Sequence, residues 1–192
     1  RVARLEESGK QLVATFEGVG APAKPQTFDQ VLVAVGRHPN GRSVGAEKAG
    51  VMIDERGFIP VNRRQQTNIP HIYAIGDICG EPMLAHKASY EGRIAAEAIA
   101  GLQTEYDALT VPSVAYTDPE IAWMGLTERE ADKKGIPYEK SVFPWNASGR
   151  ALTMGRPDGV TKLFWSRQDG RLLGAAIAGT NAGELLSETT LA

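Results

Sequence analysis

Apolar positions recur along this chain in three different rhythms. A weak alternation over residues 12–17 predicts a strand, and residues 18–25, rich in Gly, Ala and Pro, predict a turn. Val31-Leu32-Val33-Ala34-Val35 is instead an unbroken aliphatic run closed by Gly36. That pattern suits a strand buried on both faces of a parallel sheet. Residues 37–67 are polar and turn-rich, with one short strand candidate at 58–61. A second short strand at 72–75 ends on Gly76-Asp77. A helix is predicted over residues 84–100 and stopped by Gly101. Its small residues Ala85, Ala88, Gly92, Ala95 and Ala96 suggest a face that packs closely against something flat.

The rhythm changes near Val111, and the boundary is expected between about Gly101 and Thr110. Strands are predicted at 111–116, 121–124, 138–143, 160–165 and 172–178, the last two joined by a hairpin at Asp169-Gly170. Thr127-Glu128-Arg129-Glu130 has the spacing of a capping box that opens a short helix ended by Gly135. Asn181 is expected to cap a second helix. Strands with few helices predict a mostly antiparallel sheet with helices on one face, preceded by the end of a parallel α/β unit.

Composition narrows the function. The 192 residues carry 21 Lys+Arg against 23 Asp+Glu, a net charge of −2. This lacks the basic excess expected of a nucleic-acid or membrane-surface binder. Gly (21) and Pro (11) make about one residue in six, which favours short elements and tight turns over a helical bundle. The single cysteine, Cys79, cannot form a disulfide or dithiol pair within the chain, and His38, His71 and His86 lie too far apart in sequence to suggest a metal site. A lone thiol fits a reducing compartment. No signal peptide is evident, and no apolar stretch approaches the ~20 residues that span a bilayer. The chain opens on Arg1 rather than Met and stops inside a predicted helix, so the expectation is a piece of a longer protein.

The most informative chemistry is at residues 67–77. A buried strand ending in Gly76-Asp77 would put a carboxylate at the crevice where ligands bind in α/β sheets. Gly76 would let a ligand approach the backbone, and Asp77 could accept a bond from a ribityl or ribose hydroxyl, or simply cap the next turn. The helix beginning near Leu84 would aim its free N–H groups at the same crevice, which suits an anionic group such as the reduced flavin ring. Gly36 ends a predicted strand and could touch a nucleotide or form a turn. His86 reads best as a buried, satisfied histidine, and Cys79 as a small buried thiol. Residues 143–150 suit the lining of an interface or a substrate channel, or equally a surface loop anchored by Trp145. Asp118 and Glu120 read as a solvated acidic pair.

These segments together resemble the dihydrolipoamide dehydrogenase family, within the pyridine nucleotide–disulfide oxidoreductase superfamily. Residues 31–37 with Pro39-Asn40 look like the segment that closes its NAD domain. Residues 67–77 look like its second flavin motif, and Pro82-Met-Leu-Ala-His-Lys-Ala88 with Glu91-Gly92 like the helix start under the flavin ring. Residues 111–125, 143–151 and 161–186 are similar to its dimerisation domain. The resemblance implies an end of an NAD-binding domain at 1–40, a central FAD-binding segment at 41–105 and an interface domain at 106–192. It implies FAD and NAD as cofactors, with Asp77 on the ribityl chain, Gly76 beside it, Met83, Leu84, Ala85 and His86 lining the flavin, and Gly36 touching NAD. It also implies a homodimer that serves the dihydrolipoyl domain and acyltransferase core of a 2-oxoacid dehydrogenase complex, in the cytoplasm or a mitochondrial matrix. The family's redox cysteine pair, glycine fingerprints and His–Glu base are absent, so the chain alone is expected to be inactive. The alternatives are another flavin disulfide reductase, similar to glutathione or mercuric reductase, and a non-catalytic dimerisation or docking module.

Overall fold

A two-residue turn at Gly9-Lys10 folds the first residues into a hairpin, β1 (Val2–Ser8) on β2 (Gln11–Phe16), with Ser8 opposite Gln11. Gly9 takes φ +67°, the conformation that such a turn demands and a Cβ resists. β3 (Gln26–Phe28) adds to the other edge of β2, giving an antiparallel order β1-β2-β3. This computed structural model describes all 192 residues and divides into two units, Arg1–His38 and Pro39–Ala192. The predicted strand at 12–17 is β2. β1, with three charges in seven residues, carries no apolar alternation that would have announced it, and it is exposed along its whole length.

Two expectations for this region need correction. Residues 31–35 form no strand, and neither sheet of the chain is parallel. The run is solvent-facing, with Leu32 91% and Val35 94% exposed. Its β-branched residues supply propensity, but a strand needs the N–H and C=O groups of a neighbour, and no segment of the chain pairs with it. The predicted strands at 58–61 and 72–75 are also irregular chain. Only an isolated bridge, Gln66 to Tyr73, marks the second. Their backbone groups are satisfied loop to loop instead: the Ile59 N–H donates to the Ile78 carbonyl at 2.8 Å, and the Ala74 N–H to that of Gln65 at 3.1 Å. Phe58 and Ile59 are nonetheless buried.

In the second unit, α1 (Ala85–Ile99) realises the predicted helix. It ends as expected at Gly101, with φ +86°, and the Arg64 side chain donates to the Leu102 carbonyl at 3.0 Å just beyond. A five-stranded antiparallel sheet follows, built from β4 (Ser113–Ala115), β5 (Glu120–Gly125), β6 (Tyr138–Pro144), β7 (Val160–Ser166) and β8 (Leu172–Gly179). Its order is β4-β5-β8-β7-β6. The connections carry α2 (Glu128–Lys134) and the short α3 (Gly149–Thr153), and α4 (Ala182–Leu191) closes the chain. The capping box at Thr127 and Glu130 forms as read, and Gly135 ends α2 at φ +63°.

The core lies between the sheet and α4. Ala122, Met124, Ala175 and Ile177 point from β5 and β8 at Ala182 and Leu186 of α4. The alanines allow a close approach, and alternation leaves Ile121 and Trp123 half-exposed on the opposite face. Asn181 does not cap α4 with its side chain; it is left-handed at φ +58°. Glu120 supplies the cap from across the sheet, its Oε2 accepting from the Gly183 N–H at 3.0 Å. Asp118, its neighbour in the predicted acidic pair, binds Arg156 at 2.5 Å. Trp145 anchors residues 143–150, with its ring over Gly159 and Gly179 and its Nε1 donating to Thr161 Oγ1 at 3.0 Å. No helix is long and apolar enough to cross a membrane.

At Gly174 an added Cβ would sit 2.1 Å from the Leu126 carbonyl oxygen, a backbone atom with no room to move aside. Gly174→Ala should therefore lower unfolding stability by about 1–3 kcal/mol, read as a reduced urea midpoint with an unchanged slope. An unchanged midpoint would contradict this packing of β8 on the Leu126 turn.

Candidate functional site

The site grows from one face of α1. Lys87, Glu91, Ile94 and Ala98 follow the helical period, and all four are buried. Two of them are charged. Lys87 Nζ lies 2.7 Å from Glu91 Oε1, with side-chain exposures of 8% and 6%. A buried ion pair persists only when its remaining donors and acceptors are also satisfied. Here a turn gives each side chain a further partner. The Gly76 N–H donates to Glu91 Oε2 at 2.7 Å, and Lys87 donates to the Gly80 carbonyl at 3.3 Å. One ion pair thus grips both ends of residues 76–80.

Close packing completes the seat. Gly76 is buried at φ +78°, and a Cβ there would lie 3.1 Å from the Ala88 Cβ. A Cβ at Gly92 would lie 3.2 Å from Ile75 Cδ1. The missing side chain of Gly76 therefore faces the helix, so contact with α1 is a sufficient reason for glycine, besides the ligand approach that sequence suggested. The small-residue face is real at Ala88, Gly92 and Ala95, whereas Ala85 and Ala96 are exposed.

Asp77 follows within the one-turn helix Gly76–Ile78 and is half-buried. Met83 and Leu84 are also half-buried, and Ala85 and His86 are exposed at the start of α1. Leu84 occupies the N-cap in an extended conformation, and no side chain caps the helix there. The first N–H groups of a helix have no partner within it, so Ala85 and His86 present donors at the positive end of the helix dipole. These residues fit an anionic, hydroxyl-bearing cofactor such as a flavin nucleotide: uncapped donors at the helix start, with a carboxylate on the turn seated against that helix. Met83, Leu84, Ala85, His86, Gly76 and Asp77 all belong to this second unit, whereas Gly36, exposed at φ +139°, belongs to the first.

His86 is satisfied but not buried, which corrects the expectation. Its Nε2 lies 2.9 Å from the Pro112 carbonyl, tying α1 to the segment before β4. Lys87 and Glu91 are what sequence reading missed. Their signal was present as an i, i+4 pair on the same stripe as Ile94 and Ala98, but charged residues at that spacing usually face water.

Cys79 sits in the same cluster, beside a cavity of about 320 Å³ lined by Gln65, Lys87, Glu91 and Tyr106 among others. Burial first, and then the Glu91 carboxylate, push its thiol up to about 12, against the opposing effect of Lys87. The thiol stays protonated, so it is a poor nucleophile and a poor redox partner.

Comparison with known proteins bears on the same residues. Residues 2–92 match the family model for pyridine nucleotide-disulphide oxidoreductases, and residues 111–192 the model for the dimerisation domain of that family. The dihydrolipoyl dehydrogenase of Vibrio cholerae is 52% identical over 192 residues, covering 100% of this chain and 40% of the relative. That of Haemophilus influenzae is 50% identical over the same span, also 100% of this chain and 40% of the relative. Among solved structures, LpdA from Mycobacterium tuberculosis superposes with a TM-score of 0.84 at 26% identity, covering 100% of this chain and 41% of that one. The HOCl-induced flavoprotein disulfide reductase RclA from Escherichia coli superposes at 0.85 with 25% identity, covering 100% and 43%. The chain spans about 40% of the length of the curated relatives it matches.

A thiol raised to about 12 is ionised to roughly one part in ten thousand at pH 8. Cys79 should react with a thiol-specific disulfide reagent at least a hundred-fold more slowly in the folded protein than in denaturant. Equal rates would contradict the shielding described here.

Proposed function

The chain belongs to the pyridine nucleotide-disulphide oxidoreductase family, and from that premise we propose that it works as part of a dihydrolipoyl dehydrogenase. The proposed activity oxidises dihydrolipoyl groups and reduces NAD through a redox disulfide and FAD. One structural observation carries the reading: the Gly76-Asp77 turn is seated directly on the start of α1, whose first N–H groups have no capping side chain. The 50–52% identity to dihydrolipoyl dehydrogenases favours this branch over other flavin disulfide reductases, where the structural match is at 25% identity.

When bound, FAD supplies the electron carrier between a disulfide and NAD. The chain's own residues bind and orient it. Asp77 accepts hydrogen bonds from ribityl hydroxyls, and the N–H groups of Ala85 and His86 stabilise negative charge on the ring. Met83 and Leu84 line the ring and exclude water, and Gly36 contributes to NAD binding. In this reading residues 1–40 close an NAD-binding domain, 41–105 form a central FAD-binding segment and 106–192 an interface domain. The chain has one cysteine, and that one is shielded, so the disulfide of the reaction comes from outside these residues and the chain alone is inactive.

A homodimer is part of the proposal. It is supported by the dimerisation-domain match over 111–192 and by exposed Tyr116, Ile121 and Trp123 on and beside β5. The further partners proposed are a dihydrolipoyl domain and the acyltransferase core of a 2-oxoacid dehydrogenase complex. A reducing compartment, the cytoplasm or a mitochondrial matrix, accords with the free thiol.

The full-length protein should purify with a flavin absorption spectrum and reduce NAD with dihydrolipoamide. A flavin-free protein, or one that turns over glutathione disulfide or mercuric ion in preference to lipoyl groups, would overturn the assignment. Asp77→Ala should weaken FAD binding by about 1.5–3 kcal/mol, roughly ten- to hundred-fold, as a charge-assisted hydrogen bond is lost. Titration of the apoprotein with FAD measures it.

A further inference from the structure

We propose that Glu91 is a positioning residue for the flavin, acting through the Gly76 N–H, with Lys87 as its counter-charge. The inference rests on the flavin reading above and extends it to two residues that do not line the proposed cofactor contacts.

The turn that carries Asp77 is held at its start by the Gly76 N–H on Glu91 Oε2, at 2.7 Å, and near its end by Lys87 on the Gly80 carbonyl, at 3.3 Å. Both side chains leave α1, the helix whose first turn offers the N–H donors of Ala85 and His86. The pair therefore ties the carboxylate of Asp77 to the helix start and sets the spacing between two halves of one site. Gly76 at φ +78° against Ala88, and Gly92 against Ile75, remove the room for the turn to slide along the helix. Burial of both side chains strengthens the pair and its bond to Gly76, because little water competes for them.

A hydrogen bond of defined reach and a buried charge make opposite demands on substitutions. Glu91→Gln combined with Lys87→Gln keeps the length and an oxygen that accepts from the Gly76 N–H, lets the two amides bond each other, and loses both charges. Glu91→Asp keeps the charge but withdraws the oxygen by one methylene. If Glu91 positions the turn, Glu91→Asp loosens FAD while the double variant Lys87→Gln/Glu91→Gln largely preserves it.

The experiment uses the full-length protein, stripped of flavin and titrated with FAD, with the thermal midpoint of each apoprotein recorded to show that it folds. The expected result is a dissociation constant about three- to ten-fold higher for Glu91→Asp and within about two-fold of the native value for Lys87→Gln/Glu91→Gln. The visible circular dichroism of the flavin at saturating FAD should change in Glu91→Asp and stay native in the double variant, a signature that a general loss of stability does not produce. Native affinity in both variants, or weak binding confined to the double variant, overturns the positioning role. Asp77→Ala runs alongside. If it weakens FAD while both Glu91 variants bind normally, the flavin reading stands and only the positioning role falls. If Asp77→Ala leaves the affinity unchanged, the flavin reading falls, and the positioning role with it.

Discussion

A carboxylate and an ammonium buried together are tolerated only where the surrounding structure answers every remaining donor and acceptor. At Lys87 and Glu91 the answer comes from the backbone of residues 76–80. The dependence runs in both directions. The turn has no regular sheet to hold it, since residues 72–75 form only a single bridge, and the ion pair has no solvent to relieve it. Each makes the other possible. The Cys79 thiol is drawn into the same balance: burial first, and then the Glu91 carboxylate that holds the turn, suppress its ionisation.

The second half of the chain solves a different problem by different means. Its sheet is regular, and its energetics rest on small side chains that let α4 lie close to β5 and β8. Polar groups are handled at the edges of that packing. Glu120 reaches across to the start of α4, Ser148 caps α3 and Thr127 with Glu130 caps α2. Trp145 fills the space that two glycines leave open. His86 and Pro112 connect this half to the helix of the candidate site. That bond ties the helix start to the segment before β4, and placement of the N–H donors there matters most for an anionic ligand.

Local pattern carried much of this. The strand alternation of β5 to β8, the hairpin at Asp169-Gly170, the capping box at Thr127 and the stop at Gly101 are all determined by neighbours a few residues away, and each was legible. The candidate site was legible as a cluster of residue types around Gly76-Asp77 and the start of α1. Several features that were not legible depend on a partner distant in sequence. Residues 31–35 have the composition of a buried strand, but composition cannot supply a neighbouring strand. Asn181 has the chemistry of a cap, but Glu120, some sixty residues earlier, performs it.

What the sequence alone determined, then, was α1, the strands β5 to β8 and the chemical inventory of the site, because helical and strand periods and turn residues act over one or two turns of chain. The tertiary structure decided where charge is buried. Only when α1 meets the turn of residues 76–80 does an ordinary i, i+4 pair become the clamp of the site. Burial is a property of what covers a residue, and no residue carries that information about itself.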